Sequence, residues 1–116
     1  MGNQVIEKPV ADTIAEALKL IETAEAAGVA TLTGHHRRHN PVMRRAAELI
    51  SEGALGKVVA ATSIWLAHKP AGYHDFAWRR QPGGGPVLIN ALHEIDCLRM
   101  LCGDIDTVPA ADSSAV

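Results

Sequence analysis

The run Gly83-Gly84-Gly85-Pro86-Val87-Leu88-Ile89-Asn90-Ala91-Leu92-His93-Glu94-Ile95-Asp96 decides how this chain is read. Its three glycines make a loop free of side-chain restriction. Pro86 suits the first turn of a helix, where a missing N–H leaves nothing unpaired. Leu88, Leu92, Ile95 and Leu98 or Arg99 recur at helical spacing, and Gly103 stands where helices end on a left-handed residue. The spacing predicts a helix over about Pro86–Cys102. Asn90, His93 and Cys97, three and four residues apart, share one side of it. A carboxamide and an imidazole below a glycine loop make the floor of a polar pocket. A histidine on a half-apolar helix is also a common structural residue, so its companions elsewhere in the chain decide.

Upstream, His68–Pro82 is broken by Pro70, Gly72 and Pro82 and is long for an irregular connection, a kind that often carries function. Its Tyr73, His74, Trp78, Arg79 and Arg80 combine rings and cations that can wall a pocket or pack an interface. Lys57–Ala67 alternates and is rich in Val, Ile, Thr and Trp, which predicts a long strand. Before it, Asn40 and Pro41 open a helix with Val42, Met43, Ala46, Leu49 and Ile50 on its buried face, and Gly53 ends it. Beyond the third helix, Ile105–Ala110 reads as a strand, kinked or at an edge because of Pro109.

The amino-terminal third reads as strand, helix, strand. Val5 and Ile6 form a short apolar run that must stop by Lys8, because Pro9 cannot donate to a ladder. Asp12 or Thr13 caps a helix, Thr13 with Glu16 reads as a capping box, and Ile14, Ala17, Leu18, Ile21 and Ala24 make an apolar stripe that Gly28 stops. Val29–Leu32 is the second strand. This is a βαβ unit with a parallel pair. Lys8 then lies at the carboxyl end of a parallel strand, where open α/β sheets place ligands. A lysine there can hold the oxygen of a reacting alcohol or hand it a proton; it can equally be a surface lysine in a turn.

His35-His36-Arg37-Arg38-His39 has several readings. A metal site needs more ligands, and His35 and His39 precede the helix cap rather than share a helix face. A nucleic-acid patch would have interleaved aromatics. A strand-to-helix loop could set one arginine over a substrate or a cofactor phosphate, and a solvated polar loop is the plain alternative. The glycine triple lacks the spacing of a dinucleotide or P-loop fingerprint and does not follow a strand.

With 116 residues the chain suits one small domain, and 47% hydrophobic content with four aromatic residues predicts a core of Ala, Val, Leu and Ile. A net charge of −2 supplies no basic field for nucleic acid or an anionic membrane. Cys97 and Cys102, on one predicted helix, point apart; two free thiols fit a cytoplasmic location. No apolar run reaches the roughly 18 residues of a membrane span, and Met1–Pro9 is not a signal peptide. Two short strands cannot bury themselves, so the pattern reads as a piece of a larger protein.

Five segments together resemble the Gfo/Idh/MocA oxidoreductases, NAD(P)-dependent dehydrogenases of sugars and polyols. They are Glu7-Lys8-Pro9, Arg38-His39-Asn40-Pro41, Gly53-Ala54-Leu55-Gly56-Lys57-Val58, Trp78-Arg79 and the run from Gly83 to Asp96, in family order over nearly the whole chain. The resemblance implies an α/β fold: residues 1–33 as the end of a dinucleotide-binding Rossmann domain, with its short βαβ unit, and residues 34–116 as the start of an α+β domain with a mostly antiparallel sheet for substrate and oligomer contacts. It implies NAD or NADP as cofactor, a sugar or polyol substrate and a homo-oligomer. It implies Lys8 and His93 as the proton-handling pair and Asn90, Arg38, Tyr73 and Arg79 as substrate-orienting residues. Glu7, Lys8, Pro9 and Trp78 would face the cofactor, and the Lys8–Pro9 bond, often cis in the family, would bend Lys8 into the cleft. The chain departs from the family in carrying Ile89 where many members have an aspartate, with Asn90 beside it, and in lacking the glycine-rich fingerprint. The segment alone is therefore expected to bind NAD(P) poorly and to turn over nothing. The alternative is a non-catalytic module that self-associates through apolar surface.

Overall fold

The computed structural model describes residues 2–81 and 84–111. Pro82 and Gly83, read above as a breaker and the first glycine of the triple, lie outside the described residues. Strand β1 (Gln4–Ile6) pairs in parallel with β2 (Thr31–Thr33), with Val5 opposite Leu32, and helix α1 (Ile14–Ala26) crosses between them. The βαβ unit is thus present. Thr13 caps α1 by accepting from the Glu16 N–H at 3.2 Å, and Gly28 takes a φ of 63° where α1 ends. The second strand starts later than Val29, because the Val29 N–H donates to the Ala24 carbonyl at 3.0 Å to close the helix.

The apolar stripe of α1 turns inward only in part. Ala17 and Ala24 are half-buried, but Ile14, Leu18 and Ile21 are 82%, 54% and 47% exposed. Ala24, with Leu20, Ala27, Ile6 and Val29, lines a groove of about 470 Å³ between helix and strands.

A 3-10 turn (His36–His39) leads into α2 (Pro41–Ser51), where Asn40 Oδ1 accepts from the Val42 N–H at 2.8 Å and Pro41 takes the first turn, as the sequence indicates. Gly53 then takes a φ of 75°. The expected strands at 57–67 and 105–110 do not form: the described residues hold one two-stranded sheet, and no antiparallel one. Alternation favours a strand only where a neighbour accepts its ladder and covers one face. Here Val59, Ile64 and Leu66 are 87%, 76% and 88% exposed.

Two 3-10 turns (Tyr73–Asp75, Ala77–Arg80) precede the last helical stretch. That stretch spans the expected range but begins as a π-turn (Val87–Ala91), with the Leu92 N–H reaching the Val87 carbonyl, before α3 proper (Leu92–Cys102). Gly103 ends it at φ 94°. Both cysteines are free. Among the described residues no hydrophobic side chain is buried; the buried residues are His93 and Asp96, both on α3.

Candidate active site at the start of the third helix

The site is built where two segments 81 residues apart meet. Pro9 follows a cis peptide bond. Lys8, at the carboxyl end of β1, donates its ammonium to the carbonyl of Ile89 inside the π-turn. Such turns are uncommon and are frequent at functional sites. Asn90 is the next residue, and His93 follows one turn later. Leu88, Leu92, Ile95 and Arg99 lie along a single side of the helix, as their spacing indicates. With Lys8, Pro9 and His35 they line a groove of about 310 Å³.

His93 is 7% exposed. Its ring meets His36 edge-on at 4.7 Å between centroids and His35 at 6.1 Å, and its Nδ1 is closed to solvent without a partner among the described residues. Burial of the imidazole, then the positive charges of Lys8, His36, Arg37 and His35, hold its pKa below the ordinary 6.5. At neutral pH it is therefore an uncharged imidazole, able to accept a proton.

The polar side of α3 is clamped by the turn before α2. Arg37 donates to Glu94, and Arg38 grips Asp96 with Nε at 2.9 Å from both carboxylate oxygens and Nη2 at 2.8 Å from Oδ1. Burial alone pushes the Asp96 carboxyl up. The Arg38 hydrogen bonds, with the charges of His35, Arg38 and Arg99, outweigh it and leave the pKa below 3.8.

On the other flank, Lys69 Nζ lies 3.4 Å from Asn90 Oδ1, 5.0 Å from the Trp65 ring centroid and 4.6 Å from that of Tyr73. Arg79 stacks on Tyr73 at 4.1 Å, Phe76 at 4.6 Å and Trp78 at 5.2 Å, and donates to the Tyr73 carbonyl.

Lys8, Asn90 and His93 therefore come together at one end of the helix, and Tyr73 and Arg79 join them through Lys69. Arg38 sits at the polar side of α3 with Nε and Nη2 on Asp96. Glu7 and Pro9 are exposed at the end of β1, and Trp78, 51% exposed, belongs to the Arg79 cluster. Sequence reasoning missed Asp96 and Glu94 as anchors, the packing of His35 and His36 on His93, and Lys69. Two signals were there: opposite charges in Arg37-Arg38 and in Glu94 with Asp96, and a second Lys-Pro pair, Lys69-Pro70, echoing Lys8-Pro9.

Residues 43–115 match the GFO/IDH/MocA C-terminal domain. The chain is similar to the 1,5-anhydro-D-fructose reductase of Ensifer adhaerens, 34% identical over 107 residues, covering 89% of this chain and 32% of the reductase. It is 31% identical over 104 residues to D-xylose 1-dehydrogenase (NADP(+)) 2 of Haloferax volcanii, covering 90% and 32%. It is 30% identical over 106 residues to the 2,7-anhydro-N-acetylneuraminate hydratase of Mediterraneibacter gnavus, covering 87% and 27%. The chain thus spans about a third or less of the length of these relatives, which include a sugar dehydrogenase and a sugar reductase.

Proposed function

This chain belongs to the GFO/IDH/MocA family, and from that premise we propose that it forms the proton-handling and substrate-facing part of an NAD(P)-dependent oxidoreductase of a sugar, polyol or related hydroxy compound. Residues 1–33 end the nucleotide-binding half and residues 34–116 begin the substrate half; the match of residues 43–115 to the family's C-terminal domain supports that division. The names of the fructose-derivative reductase and the xylose dehydrogenase support a sugar substrate.

The observation that carries the reading is the approach of Lys8 to the helix turn above a buried, neutral His93. The residues present fit a nicotinamide cleft: Lys8 stands at the carboxyl end of a parallel strand, gives one donor to the Ile89 carbonyl and forms no ion pair among the described residues, so its remaining donors are available to an oxygen at the reacting carbon. The bound nicotinamide takes or gives the hydride. In the oxidising direction the hydroxyl proton passes to His93, through Nε2 because Nδ1 is closed off, while the Lys8 ammonium stabilises the negative charge growing on that oxygen. In the reducing direction the same proton returns. Asn90 orients a neighbouring hydroxyl, and Tyr73 and Arg79 wall the substrate. Arg38 acts through Asp96, holding α3 in place. Exposed Val59, Ile64 and Leu66 supply apolar surface for a homo-oligomer contact.

The test is production of reduced nicotinamide from a panel of sugars by a polypeptide carrying this segment and a nucleotide-binding half. Lys8→Met and His93→Asn are each expected to lower kcat by about 10²-fold or more. The oxidation rate should hold as pH falls to the ordinary histidine value and decline only below it, because the His93 pKa is lowered. Variants that keep the unaltered rate contradict the assignment.

A further inference from the structure

The cations on and around the last helical stretch divide into two groups. Arg37, Arg38 and Arg99 spend their charge on Glu94, Asp96 and Asp104. Lys8, Lys69 and Arg79, which gather around the start of α3, form no ion pair among the described residues.

Lys69 is held by side chains alone. Two aromatic rings and the Asn90 carboxamide fix its ammonium without neutralising it. Asn90 takes one of its three donors, leaving the others for a ligand. The Tyr73 ring carries the Lys69 ammonium at 4.6 Å and the Arg79 guanidinium at 4.1 Å, so two like charges share one ring. An anion within reach of both relieves their repulsion. Asn90 Nδ2 is buried without an acceptor among the described residues, a state that an incoming ligand oxygen or water ordinarily resolves.

We propose that Lys69, Asn90 and Arg79 form an anion subsite beside His93, and that its ligand is the carboxylate of a hydroxylated, sugar-sized acid. A planar carboxylate suits the guanidinium fork, and Lys69 adds a point charge. The subsite sets specificity: an acid whose carboxylate docks there carries its reacting carbon toward Lys8 and His93. That the acid is the substrate rests on the oxidoreductase reading; that the subsite binds it does not, and the experiment reads binding alone.

D-galacturonate, D-galactose and inorganic phosphate are titrated into the 116-residue chain while the Asn90 side-chain amide and the His93 ring are followed by NMR. Galacturonate is expected to shift both at a concentration about tenfold or more below that needed for galactose or phosphate. Lys69→Met should raise the galacturonate Kd by about tenfold or more and the galactose Kd by much less, and Lys69→Arg should restore most of the galacturonate affinity. The comparison of probes on the unaltered chain stands by itself if a variant loses its fold. Equal response to the three probes, no response to galacturonate, or an unchanged Kd in a folded Lys69→Met chain overturns the proposal.

Discussion

Asp96 is the residue on which the geometry around His93 turns. It is 8% exposed, and the Arg38 fork is its principal partner. With its pKa held below 3.8, it contributes stability that is fully present above the unfolded carboxylate value and is lost as pH falls through the folded one. The Arg38 side chain is 43% exposed, so removing it costs toward the lower end of the range for hydrogen bonds to a charged group. Arg38→Ala is expected to destabilise the chain by about 1.5 kcal/mol in urea unfolding at neutral pH, with the deficit shrinking once acid protonates Asp96. Arg38→Lys should recover part of it, since an ammonium cannot reproduce the two-pronged grip. An Arg38→Ala midpoint equal to that of the unaltered chain would contradict this anchor. The sequence could not assign the pair, because Arg38 and Asp96 stand 58 residues apart and nothing local links them. By contrast Lys8 and His93 each sit in a short segment whose neighbours resemble a known family, which is why both stand out in the sequence as candidates.

At the scale of the element, the caps read correctly because their chemistry is local. Asn40 before Pro41 fixes the start of α2 within a few bonds of itself, and Gly28 and Gly53 end helices where a positive φ is required. Asn40→Ala is expected to cost about 1 kcal/mol and to speed amide exchange in the first turn of α2, while Asn40→Asp keeps the cap. Unchanged exchange in Asn40→Ala would remove the cap from the account. The π-turn was not legible, since one extra residue in a turn leaves the apolar spacing of Leu88, Leu92 and Ile95 nearly intact. The two missing strands failed for another reason: alternation describes a surface half-covered by a sheet, and the described residues supply no neighbour to cover it.

The whole molecule is open. Its radius of gyration is 17.1 Å, against about 13 Å for a compact chain of this length. The described residues hold no buried apolar core, and the contacts that join the early residues to α3 include polar ones: Lys8 on Ile89, Arg37 on Glu94, Arg38 on Asp96 and the histidine rings on His93. The composition pointed to a core of small aliphatic residues, but composition says nothing of whether their partners lie within the same residues. The segments around Lys8, Arg38 and His93 are brought together by these long-range polar contacts, and that convergence of residue 8 with residue 93 is what the functional reading depends on. The protonation midpoint of His93, followed by NMR in the unaltered chain and in Lys8→Met, measures it. The midpoint is expected below 6.5 and should rise toward that value when the Lys8 charge is removed, stopping short because burial and the His36, Arg37 and His35 charges remain. A midpoint at or above 6.5, or one that Lys8→Met does not move, would mean that the two residues do not share a site.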